Sequence, residues 1–260
     1  MQPLAAMPTA VRRALRGVMF DIDDTLTTDG KLTASAYGAL ETLQTAGLLT
    51  FAVTGRPAGW CDHIARMWPV DGVVGENGAL YFRYADGRMI QRYHHDDTAR
   101  AQNRHRLDAL CERILASVPG CAVASDQAYR DADLAIDFCE DVPPLPPGQI
   151  ARIVALFEKA GATAKISSIH VNGWFGEYDK LSMVRRLLGE QFGCDLEREQ
   201  SRFVFIGDSP NDEPMFGFFN HAVGVANVRN FAADLTLPPR YVTRAESGAG
   251  FVEMAALLTG

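Results

Sequence analysis

Four short runs in this chain carry acids, a hydroxyl and a lysine of the kinds that act together on an anionic group. Asp21-Ile22-Asp23-Asp24-Thr25 sets two carboxylates at i and i+2 just past the apolar run Gly17–Phe20. If the chain turns there, both can address one site, and carboxylates so crowded need either a held proton or a cation between them. An isolated Asp-x-Asp is about as often a plain surface turn. In Phe51-Ala52-Val53-Thr54-Gly55-Arg56-Pro57 a hydroxyl ends an apolar run and a helix start follows. Thr54 and Gly55 can donate to an anion, helped by the unpaired N–H groups of the first helical turn. Taken alone, the run reads equally as turn punctuation. Asp179-Lys180 puts a cation at another helix start, although a lone lysine is by default a solvated charge. Gly207-Asp208-Ser209-Pro210-Asn211-Asp212 follows a further apolar run and offers oxygen ligands suited to a hard cation such as Mg²⁺.

These residues need a scaffold that brings four chain segments to one edge. Apolar runs predict strands at 17–23, 48–53, 72–74, 202–206, 221–225 and 241–243. Between them, helices are expected from the N-cap Thr33 to the stop Gly47, from Arg56-Pro57 to Met67, over 212–219 and over 249–258. Strand–helix alternation of this kind predicts a doubly wound parallel sheet, α/β and Rossmann-like, with ligands at the carboxyl ends of its strands. A different segment interrupts it. A hairpin over 80–93 with Asp86-Gly87 at the tip leads to a helix near 98–117, strands near 122–124 and 134–138, a helix near 149–160, and one strand over 164–171. The expected division is a core of residues 1–83 and 178–260 with an inserted α/β cap over 84–177. Pro143-Pro144-Leu145-Pro146-Pro147 reads as a rigid loop before a helix.

The run Phe20-Asp21-Ile22-Asp23-Asp24-Thr25-Leu26-Thr27 resembles the first motif of the haloacid dehalogenase superfamily, and the other three runs resemble its remaining motifs in order. The insertion after Gly75-Glu76-Asn77-Gly78-Ala79 is similar to that of the Cof-type, or subfamily IIB, phosphatases. The resemblance implies a Mg²⁺-dependent phosphatase acting on a small phosphorylated metabolite, a sugar phosphate in the first place, under a cap that selects the substrate. It implies that Asp21 attacks phosphorus to form an aspartyl-phosphate while Asp23 serves as acid and then base. Thr54 and Lys180 would hold the phosphoryl oxygens. Asp21, the Asp23 carbonyl and Asp208 would bind the metal, with Asp212 and Asn211 orienting Lys180 and the metal's waters. ATP-driven pumps of the superfamily carry threonine where Asp23 stands. A phosphohexose mutase of the phosphomannomutase kind, using the same intermediate, is the alternative. Asn172 and Trp174, on the segment returning from cap to core, could meet a sugar's hydroxyls and face, and Gly173 and Gly176 could serve as hinges.

Composition bounds the reading. A net charge of −7 over 260 residues argues against a nucleic-acid surface, and the absence of a spanning apolar run argues against a membrane segment. Five scattered cysteines without a paired motif, and no signal-peptide pattern, point to the cytoplasm. His94-His95-Asp96-Asp97 reads as a solvated loop, and Arg100, Arg104, Arg106 and Arg113 as the wet face of a helix.

Overall fold

The computed structural model describes residues 1–167, 169–233 and 235–260. Its large sheet is built from β1 (Gln2–Pro3), β2 (Gly17–Phe20), β3 (Leu49–Val53), β4 (Gly72–Gly75), β5 (Leu80–Ala85) and β6 (Arg88–Tyr93) before the insertion. After it come β11 (Phe203–Gly207), β12 (Val223–Gly224) and β13 (Tyr241–Val242), numbered after the four strands of the insertion. The strand order is β1-β13-β12-β11-β2-β3-β4-β5-β6, parallel from β1 to β4 and antiparallel through the hairpin β5–β6. The hairpin spans position 84, where the sequence places the start of the cap, and both of its strands belong to the large sheet.

The central strands are buried on both faces, and the period of two in each assigns its side chains to opposite layers. Val18, Phe20, Val204 and Ile206 pack into one apolar layer with Leu40, Leu43, Phe251 and Met254. Met19, Phe203 and Phe205 point into the other with Leu187, Leu188 and Met215. Each such side chain contributes about 1.5–3 kcal/mol of burial. The flanking helices are α1 (Thr9–Ala14), α2 (Ala34–Thr45) and α3 (Ala58–Met67), followed beyond the insertion by α6 (Lys180–Phe192), α7 (Leu196–Glu199), α8 (Glu213–Phe218) and α9 (Ser247–Thr259). Thr33 caps α2 as expected, its hydroxyl accepting from the Ala36 N–H at 3.2 Å, and Gly47 at φ +84° ends the turn after it. The sequence was silent on β1, which pairs in parallel with β13.

The insertion forms a second, four-stranded antiparallel sheet of β7 (Ala122–Val123), β8 (Leu134–Asp137), β9 (Thr163–Ile166) and β10 (His170–Trp174), in the order β7-β8-β10-β9. Helices α4 (Asp97–Ser117) and α5 (Pro147–Lys159) pack on it through Leu107, Leu110, Ile114, Ile153 and Phe157. The single strand expected over 164–171 is instead two antiparallel strands, β9 and β10. Ser167 makes the turn: its N–H donates to the His170 carbonyl at 2.8 Å and its hydroxyl accepts from the His170 N–H at 3.0 Å. Ser168, within that expected strand, lies outside the described residues. Gly173 sits inside β10 and is not a hinge; the Phe157 ring would lie 2.1 Å from a Cβ there, so the glycine serves helix–sheet packing. Among the described residues no helix is long and apolar enough to cross a membrane.

Candidate active site

Four neighbouring strands, β11-β2-β3-β4, end at one edge of the large sheet, and three of them carry motifs there. Asp21 follows β2, Thr54 follows β3, Glu76 follows β4 and Asp208 follows β11. Lys180 opens α6, where Asp179 and Ser182 close a reciprocal capping box: the Ser182 N–H donates to Asp179 Oδ1 at 2.7 Å and the Asp179 N–H to Ser182 Oγ at 3.0 Å. The box fixes the first turn and turns Lys180 inward, leaving it 4% exposed. Its Nζ lies 2.7 Å from Asp21 Oδ1 and 2.7 Å from Asp212 Oδ1. The other Asp212 oxygen accepts the Asp208 N–H at 3.2 Å, and Thr25 Oγ1 donates to Asp208 Oδ1 at 3.1 Å. Gly207 makes this turn possible, since a Cβ there would stand 2.3 Å from Asp212 Oδ2.

Charge is unbalanced in this nest. Burial pushes the Asp21 carboxyl up to about 8, Lys180 pulls it back, and Asp212 and Asp23 add to the rise. Burial, then Asp212 and Asp21, push Asp208 well above the ordinary carboxylate range. Burial works against the Lys180 charge, but Asp21 and Asp212 outweigh it and raise the ammonium's pKa. Asp21, Asp208 and Asp212 each offer an oxygen, all within 4.8 Å of one another and all buried. One lysine cannot neutralise three acids, so the donor set fits a hard divalent cation.

Asp23 faces a different partner. Arg56 Nε donates to its two oxygens at 3.1 and 3.0 Å, and Nη2 donates to Oδ1 at 2.9 Å. The same guanidinium reaches the cap, 3.5 Å from Asp126 and 3.6 Å from Glu140. Cap residues Arg130, His170 and Asn172 close over the acids, and the cavity enclosed with Asp21, Asp23 and Asp208 measures about 30 Å³. That is room for a water or two and not for a phosphorylated sugar.

The cap is held by Glu76, which is wholly buried. Its carboxylate accepts four backbone N–H groups: Ala58 at 2.9 Å and Asp131 at 2.8 Å on Oε1, Ala132 at 2.7 Å and Asp133 at 3.0 Å on Oε2. Arg130 spans the same junction, donating to Asp126, Asp133 and the Gly55 carbonyl. Glu76→Ala strands those donors and should lower unfolding stability by on the order of 3–5 kcal/mol, read by denaturant titration. A loss below about 1 kcal/mol would show that water replaces the clamp.

Of the residues read from the sequence, Asp21, Asp23, Gly55, Asn172, Asp208 and Asn211 line the enclosed cavity. Lys180 and Asp212 stand behind Asp21, and Thr54 is fully buried with its hydroxyl accepting the Arg56 N–H at 3.1 Å. Asn172 is brought to the site but is held by Asp133, its Nδ2 donating to Oδ2 at 3.1 Å. Trp174 lies elsewhere, buried and stacked on Tyr178 at 5.5 Å, where it lines a separate cavity with Lys180. Sequence reading missed Arg56, Arg130, His170 and Glu76. Arg56 and Glu76 both stood inside quoted runs, whereas Arg130 and His170 depend on how the cap folds over the core.

Residues 18–126 match the family model of the haloacid dehalogenase-like hydrolases. Among proteins of curated function, none matches the sequence significantly. A protein from Thermoplasma acidophilum shares the fold over 94% of this chain and 98% of its own, at 17% identity and a TM-score of 0.73. The sucrose-phosphatase of Synechocystis, solved with sucrose and phosphate, superposes over 94% of this chain and 98% of its own, at 17% identity and a TM-score of 0.64. A haloacid dehalogenase subclass IIB sugar phosphatase does so over 88% and 93%, at 16% identity and a TM-score of 0.59. Residues 18–126 thus carry the likeness to the haloacid dehalogenase-like hydrolases, and the fold of the similar structures extends along nearly the whole chain.

Proposed function

We propose that the protein is a phosphatase of small phosphorylated metabolites, sugar phosphates foremost, that works through an aspartyl-phosphate on Asp21 with Mg²⁺ bound. The observation that carries this reading is the buried Asp21–Lys180–Asp212 chain set beside Asp208, with a second acid, Asp23, two residues from the first. The sucrose bound to the similar sucrose-phosphatase supports the sugar.

Asp21 Oδ attacks phosphorus while the bond to the leaving oxygen breaks, and Asp23, freed from Arg56, delivers a proton to that oxygen. Asp23 then takes a proton from the water that hydrolyses the acyl phosphate, returning Asp21. Lys180 and the Thr54–Gly55 turn hold the phosphoryl oxygens, and Asp212 keeps Lys180 charged and aimed. Asp21 and Asp208, with the Asp23 main-chain carbonyl, would hold Mg²⁺, and Asp212 and Asn211 would orient its waters. When bound, the cation supplies positive charge between carboxylate and phosphate oxygens. The cap groups His170 and Asn172 line the same cavity as Asp21 and Asp23 and would face the leaving group.

Metal removal tests the reading. Hydrolysis of a panel of phosphorylated metabolites should stop on exhaustive chelation and return with Mg²⁺. Asp208→Ala should raise the Mg²⁺ needed for half-activity by on the order of 10- to 100-fold or more, while Asp86→Ala, at the tip of the β5–β6 hairpin, should not change it. Full activity after chelation would end the proposal.

A further inference from the structure

The loop after β4 is unusual in its backbone. Glu76, Asn77 and Gly78 have φ of +44°, +56° and +105°, three left-handed residues in a row, of which only the last is glycine. Gly78 has a steric reason, since a Cβ there would meet the Asp179 carbonyl oxygen at 2.0 Å. The other two are held by their surroundings. Glu76 donates its N–H to the Arg56 carbonyl at 3.1 Å and Asn77 donates to the Thr54 carbonyl at 3.2 Å, so the loop is tied along the whole Thr54–Arg56 turn. Strain of this kind persists where the surrounding structure enforces it, and it gathers at ligand sites.

Asn77 is 6% exposed, and its Nδ2 has no hydrogen-bond partner among the described residues. The amide lies against Gly55, where a Cβ would stand 3.1 Å from Asn77 Oδ1 and 3.2 Å from Nδ2. It also borders a cavity of about 60 Å³ whose lining includes Lys180, Asn211 and Trp174. Trp174, 2% exposed, likewise has its Nε1 without a partner among the described residues. Two buried donors without acceptors, beside a lysine, make a place that asks for an oxygen.

The geometry points to Asn77 as a further phosphate-binding residue: its Nδ2 donates to a non-bridging oxygen of the transferring phosphoryl group, between Gly55 and Lys180. The inference rests on the phosphatase reading and adds to it a ligand group from β4, the strand that brought none of the four motifs. It also gives Gly55 a steric role, because a side chain at 55 would press on the amide.

The test is titration of inorganic phosphate into the full chain with saturating Mg²⁺, comparing wild type with Asn77→Gly and Asn77→Asp. Glycine accepts the left-handed backbone and removes only the amide, so Asn77→Gly isolates the donor from the fold. Phosphate should bind Asn77→Gly about 10-fold or more weakly, and Asn77→Asp more weakly still, with the thermal midpoint of Asn77→Gly no lower than that of wild type. Hydrolysis of nitrophenyl phosphate and of a sugar phosphate should fall by similar factors. Unchanged phosphate affinity in Asn77→Gly, with wild type binding and hydrolysing normally, overturns this inference alone. A loss confined to the sugar phosphate assigns the amide to a sugar hydroxyl and also overturns it. Wild type that neither binds phosphate nor hydrolyses any ester overturns the phosphatase reading with it.

Discussion

Asp23→Asn should release nitrophenol from nitrophenyl phosphate in a single burst and then stall with phosphate on Asp21. A sugar alkoxide leaves poorly without a proton, so loss of the acid should slow intermediate formation from a sugar phosphate by on the order of 100- to 10,000-fold. Nitrophenolate needs no such help, and its penalty should be smaller. The water that breaks the intermediate needs the base in both cases, so breakdown slows for both. The side chain that makes this possible is held in the resting structure by three hydrogen bonds from Arg56, and asparagine retains an oxygen to accept from the guanidinium. Rapid-mix nitrophenol release and intact-protein mass are the measurements, with Asp21→Asn as the control that cannot be phosphorylated. A folded Asp23→Asn protein with neither burst nor added mass would remove Asp23 from the role of acid and base.

Lys180→Met should be the most damaging change in both stability and rate. Its ammonium sits 2.7 Å from each of two buried carboxylates, and methionine fills the stem while removing the charge. Stranding buried acids costs on the order of 3–5 kcal/mol. The deficit depends on pH with a definite sign. The Asp21 carboxyl, already raised to about 8 in the folded protein, loses the lysine that pulled it down, so its folded value rises further above the unfolded one. Stability linked to such a group is intact below its unfolded value and falls as pH climbs through the folded value. Metal-free Lys180→Met should therefore lie further below wild type at pH 9 than at pH 7 in denaturant titrations. Turnover with Mg²⁺ should drop by on the order of 100- to 1,000-fold, the effect of removing one donor from developing phosphoryl charge. A variant as stable as wild type at pH 9 would mean that Lys180 carries no net charge load.

The candidate site was legible because most of its motifs are local: an apolar run sets a strand, and the acid or hydroxyl after it must lie at the strand's carboxyl end. Asp21, Thr54 and Asp208 converge by that alternation, and Lys180 joins them from the first turn of α6, set by its capping box. The cap was legible as elements but not as contacts. Whether residues 164–171 make one strand or turn back at Ser167 is decided by a side-chain hydrogen bond that leaves no apolar pattern. Trp174 looked like a sugar platform and is instead packed under Tyr178, because β10 faces it into the junction. Arg130 and His170 reach the site only through tertiary packing of the cap on the core, over sequence separations that no local spacing reports.

The Glu76 clamp has a consequence for how such a protein can diversify. All four groups that its carboxylate accepts are main-chain N–H donors, three of them consecutive at Asp131, Ala132 and Asp133. A peptide N–H is supplied by every residue except proline. At this grip, therefore, attachment places almost no demand on which side chains the lid displays. Under the proposed function, the chemistry at Asp21 could stay fixed while the inner face of the inserted segment is rewritten for a new leaving group, and this part of the junction need not be redesigned with it.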